Sequence, residues 1–186
     1  QTNEFVSKLL QEESRNANST RTLQIALSLF TLEDKSKIQI AENILNRIVQ
    51  IPLIRDAVLS SLCDKEASLL MNLFQSIAWK SKDPNKEICI ESIAGAVFNK
   101  GNSNEIERII KSRGTDSSNW FMQSILTGFN VAHNSSGKII KLHFNPGKDL
   151  APALENMFEW PGHKIIKSTL QKKYELNPQE RKQWAS

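Results

Sequence analysis

Tyrosine occurs once and glycine only seven times in 186 residues. A β-sandwich or barrel needs turn glycines and strand-forming aromatics in quantity, so this scarcity disfavours both. No run of about 20 apolar residues occurs, the length a helix needs to cross a bilayer. Gln1 opens the chain without a basic-then-apolar leader. The missing initiator Met marks a processed chain or an excised segment, so the compartment stays open.

The glycines never form Gly-x-Gly or Gly-x-x-x-x-Gly-Lys, so no phosphate-cradling loop is written here. No Gly-x-Ser-x-Gly elbow occurs either. The three histidines, His133, His143 and His163, never sit in a His-x-x-x-His or Glu-x-x-His pair. A metal site would need distant segments to converge, and surface or satisfied histidines are the expected reading. Cys63 and Cys89 are 26 residues apart, with no partner at metal-ligand spacing. They read as two free thiols, one at a helix end and one on an apolar face, with a disulfide as the alternative.

What is present is a soluble composition: 39% hydrophobic and 24% charged, at a length that suits one domain. The net charge of +4 is unevenly placed. Residues 163–186 hold Lys164, Lys167, Lys172, Lys173, Arg181 and Lys182 against Glu175 and Glu180. Taking these six and two from the totals of 24 and 20 leaves 18 of each sign in residues 1–162. A solenoid that grips nucleic acid lines a face with cations. This neutral body has no such surplus, so no nucleic-acid partner is expected.

The most ordered stretch is Pro52–Leu62. Proline suits a first helical turn, because its missing amide would be unpaired there anyway. Ile54, Ala57, Val58, Ser61 and Leu62 then share one helical face. Echoes occur around Leu23, Ile25, Ala26 and Leu29, around Ile93, Ala94 and Val97, and around Ile125, Leu126 and Phe129. The anchors Ile25, Val58, Ile93 and Ile125 are 33, 35 and 32 residues apart. Such a period, with two helices per unit, predicts an all-α stacked solenoid. The competing reading is four ordinary buried helices with coincidental spacing. Ala57, Ala94, Gly95 and Gly128 suit a close approach of helices.

In chain order, Phe5, Val6, Leu9 and Leu10 predict a short amphipathic helix over 4–13 that caps the stack. Ser19 or Thr20 caps a helix running to Phe30. Asp34 or Ser36 opens the next, with Ile38, Ala41, Ile44, Leu45 and Ile48 inward. After the Pro52 helix, Asp64 is the expected N-cap of one bearing Ala67, Leu70, Met71, Phe74 and Ile77 inward, closed by Trp79. From Pro84 a helix carries Ile88, Ile90, Ile93, Ala94 and Val97 to a Gly101 stop. Ser103 caps Ile106 to Lys111, and Ser117 or Ser118 caps the helix of Trp120, Phe121, Ile125, Leu126 and Phe129.

Beyond it regularity weakens. Asn134–Gly137 reads as a flexible turn, and Ile139, Ile140, Leu142 and Phe144 as helix or strand. Asn145-Pro146-Gly147 breaks the chain. A short helix is expected over 150–160, a turn at Pro161-Gly162, and helices over 163–174 and 179–184. The predicted division is a repeat domain, 1–134, and a C-terminal extension, 135–186, packed on it.

Trp79 and Trp120 read as core; Trp160 and Trp184 read as anchors docking the C-terminal segment. Tryptophans near lysines also stack bases or anchor protein interfaces. Arg55 and Asp56 point to different azimuths, one to solvent and one to a neighbouring helix end, which favours ion pairing over catalysis. Cys63 beside Asp64 and Lys65 has the elements of an activated thiol but no histidine near in sequence. No catalytic, cofactor-binding or metal-ligating residue is assigned.

The string Pro52–Leu62, then Asp64-Lys65-Glu66-Ala67, resembles the HEAT-type repeats of large bacterial heme-c dehydrogenases. There a helical segment joins a β-propeller dehydrogenase-like domain to a c-type cytochrome domain. Phe158-Glu159-Trp160-Pro161-Gly162 resembles a Trp-Pro-Gly turn before the cytochrome, and Leu176–Arg181 resembles the Leu-Thr-Pro-Glu-Glu helix leading into the heme motif. The chain departs from the pattern in lacking Cys-x-x-Cys-His. The resemblance therefore implies a HEAT/armadillo-like α-α superhelix of about four irregular helical pairs with no cofactor of its own. It implies heme c only in a downstream domain, a periplasmic parent, and a non-catalytic connector between domains. A trans-acting protein-interaction module and a helical-repeat DNA glycosylase are the alternatives.

Overall fold

The computed structural model describes residues 2–112, 119–142 and 158–159, with side chains described for 5–112 and 119–142. Eight α-helices carry the described residues: α1 (Thr2–Asn16), α2 (Ser19–Ser28), α3 (Asp34–Ile48), α4 (Pro52–Ser60), α5 (Glu66–Gln75), α6 (Pro84–Lys100), α7 (Ser103–Lys111) and α8 (Trp120–Ser136). Single 3-10 turns follow α2 at Leu29–Thr31 and α5 at Ile77–Trp79. The all-α expectation holds.

The helix starts and stops follow local chemistry. Pro52 and Pro84 occupy first-turn positions of α4 and α6. The Asp83 carboxylate accepts from the Asn85 and Lys86 amides at 2.9 and 3.3 Å. Gly101 ends α6 at φ 73°, a left-handed conformation that costs glycine little. Three caps fall on asparagine and not on the expected serines or threonine. Asn18, Asn102 and Asn119 accept from the amides of Arg21, Glu105 and Phe121, so Ser19 and Ser103 become the first helical residues. Ser117 and Ser118 lie outside the described residues.

Most helices two apart in sequence pack on each other, α4 and α6 excepted. α1 lies on α3, α3 on α5 and α5 on α7; α2 lies on α4 and α6 on α8, while α5 also packs on α6. The four anchors fall one on each of α2, α4, α6 and α8, and all are buried. Leu29, Ile44, Leu62, Leu70, Phe98 and Phe129 are among the fully buried side chains, each contributing about 1.5–3 kcal/mol by leaving water. The Phe98 and Phe129 rings join α6 to α8 at 5.8 Å, and Phe74 meets Phe121 edge-on at 5.6 Å.

Several inward assignments change. Phe5 is 69% exposed and Leu9 is exposed too; α1 turns Leu10 and Ser14 inward instead. Ile77 is 80% exposed because α5 stops at Gln75 and the 3-10 turn ends its helical phase. Leu69 and Leu73 join Ala67 and Leu70 in the core, while Met71 and Phe74 are half-buried. Ile88 is exposed one position from the buried pair Cys89 and Ile90.

The C-terminal part differs most. The expected turn at Asn134–Gly137 is helical to Ser136, since Gly137 alone supplies the left-handed stop at φ 64°. Ile140–Lys141 is a strand, β1, which decides between the two readings of that piece. It pairs in parallel with β2, Phe158–Glu159, so those two residues are not helical as expected. The rest of the 150–160 helix, the Asn145-Pro146-Gly147 break, the Pro161-Gly162 turn, the 163–174 and 179–184 helices, Trp160 and Trp184 lie outside the described residues.

Candidate functional site

Among the described residues a cluster of ion pairs forms where α4 turns into α5. Cys63 and Asp64 both have left-handed backbones, φ 47° and 73°. Neither is glycine, and such residues persist where surrounding contacts hold them. Here the contacts are ionic. The Asp64 carboxylate lies 2.6 Å from the Lys100 ammonium at the end of α6, and Lys65 lies 2.6 Å from Asp34 at the start of α3. Lys100 also donates to Glu66, whose side chain is buried. One turn is thereby tied to both neighbouring helix ends.

The predicted N-cap role of Asp64 fails for the same reason. Its carboxylate faces Lys100, and Lys65 takes the cap position without a side-chain hydrogen bond. Hydrogen bonding and charge from Lys100 hold the Asp64 carboxyl below its ordinary range. The hydrogen bond to Asp34 raises Lys65. Burial opposes the Lys100 charge, but hydrogen bonds to Asp64 and Glu66 outweigh it and raise the group. Asp64 and Lys65, which follow the exposed Cys63 in sequence, are thus both engaged in ion pairs. The cluster binds helices together; the activated-thiol idea gains no base from it.

Cys89 is fully buried, and desolvation pushes its thiol up to about 12, despite the nearby Arg55 charge. Both cysteines are free, as expected, and lie at the expected places: Cys63 just past α4 and Cys89 on the apolar face of α6. Asp56 faces solvent, while Arg55 is buried. Their groups are 3.8 Å apart, and the Arg55 Nε lacks a hydrogen-bond partner.

Trp79 is core, and its indole donates to the Asn46 side chain at 2.5 Å. Trp120 is half-buried and donates to the Lys80 carbonyl at 3.2 Å. The two bonds reach back 33 and 40 residues along the chain. Sequence reasoning missed these two bonds, although both tryptophans stand beside helix ends, where donors find free carbonyls or short polar side chains.

His133 Nδ1 lies 2.9 Å from the Lys138 carbonyl, which assigns the proton to that nitrogen, and its ring meets Phe98 edge-on. It ties the residue after the Gly137 stop back to α8. His143 and His163 lie outside the described residues. Among the described residues no group of three His, Cys, Asp or Glu could hold a metal ion, and no helix is long and apolar enough to cross a membrane. An open depression along α7 is lined by Asn104, Glu107, Arg108, Lys111 and Ser112, all from α7 or its end.

Comparison with protein-family models, curated proteins and solved structures finds no match for this chain.

Proposed function

We propose that the chain is a helical-repeat scaffold, an α-α superhelix of HEAT type whose role is to hold neighbouring domains in fixed relation. The observation that carries this reading is the packing of helices two apart, α1 on α3 on α5 on α7, beside α2 on α4 and α6 on α8. Units that bury their faces on the next unit make long continuous surfaces, and such surfaces suit a spacer. The resemblance of Pro52–Ala67, Phe158–Gly162 and Leu176–Arg181 to the helical segment of heme-c dehydrogenases supplies the neighbours. On that reading the parent is periplasmic, with a dehydrogenase-like domain upstream and a c-type cytochrome downstream. The basic stretch 163–186 is the connector.

The gene beyond Ser186 tests this. A Cys-x-x-Cys-His motif within a few tens of residues is expected; a reading frame without one overturns the cytochrome context.

The second reading is a module that binds a partner protein in trans. It is favoured by the exposed large apolar residues Phe5 and Leu9 of α1, Leu27 of α2 and Phe30 of the turn after it, because exposed large apolar side chains close together on a surface are how interaction sites are marked. Titration with duplex DNA at two salt concentrations checks both readings against a glycosylase. Neither expects binding, and tight association that collapses with salt would replace them with the enzyme.

A further inference from the structure

We draw no further inference here: the strongest candidate, the exposed apolar side chains Phe5 and Leu9 of α1, Leu27 of α2 and Phe30 of the turn after it, carries nothing beyond the reading above because nothing in the structure shows what covers them.

Discussion

Gly128 of α8 lies directly against the Glu91 carbonyl of α6, so close that a methyl group there would overlap the oxygen and crowd the Ala94 Cβ. A Cβ placed at Gly95, on the facing helix, would meet only ordinary neighbours, Gly128 O at 3.5 Å and Ala132 Cβ at 3.9 Å. The two glycines therefore separate under substitution. Gly128→Ala destabilises by about 1–3 kcal/mol through overpacking, although alanine favours helix. Gly95→Ala ranges from neutral to about 1 kcal/mol more stable. Urea unfolding followed by circular dichroism measures both, and equal effects would refute the close crossing.

Lys100 is the hub of the α4–α5 turn. Replacing it with Met leaves the buried Glu66 carboxylate without its donor, at a cost of about 1–3 kcal/mol near neutrality. Glu66→Gln in the same chain recovers part of that loss. The pH dependence follows from the two shifted groups. Asp64 sits below its ordinary 3.8, so its contribution is present above that value and lost as pH falls through the lowered one. Lys100 sits above its ordinary 10.5, so its contribution is full below that value and lost as pH rises through the raised one. The gap between wild type and Lys100→Met is widest between 3.8 and 10.5 and narrows outside. A pH-independent gap in unfolding midpoints contradicts the assignment.

The thiols differ in access. Cys63 is exposed and Cys89 is buried, with its thiol pushed to about 12. At pH 8 an aromatic disulfide reagent titrates one thiol per folded chain and the second only in denaturant. Cys63→Ser removes the fast reaction; two fast thiols would place Cys89 at the surface.

Asparagine, not serine, caps α2. Asn18→Ala costs about 0.5–2 kcal/mol. Ser19→Ala, at the first helical residue, changes stability by less than about 0.5 kcal/mol. Thermal unfolding of the two variants ranks them, and a larger loss at Ser19 reverses the cap assignment.

Much of the fold was legible because its signals are local. Pro52, Pro84 and Gly101 act through their own backbones, and the apolar spacing around Ile44 or Ile93 survives any arrangement of neighbours. The failures sit where a neighbour decides. Asp64 has every local property of a cap, yet Lys100 of another helix takes its carboxylate. Ile77 continues the α5 pattern in sequence, but the helix ends two residues earlier and turns it to water. Phe5 and Leu9 look like a buried stripe, but among the described residues α1 packs on α2 and α3 and leaves both exposed. No pattern within Ile139–Phe144 could name Phe158 as the residue facing Ile140.

By itself the chain determined that the described residues are mostly helical, to within a residue or two where most of those helices begin, and many of the residues that leave water. These depend on φ preferences and on apolar periodicity, which act over a few residues. Only the tertiary structure decided which helices touch, that Glu91 and Gly128 meet without side chains between them, and that Lys100 closes the turn after α4. Those choices join residues 34 to 37 positions apart, where the energy of a contact depends on what else is packed around it.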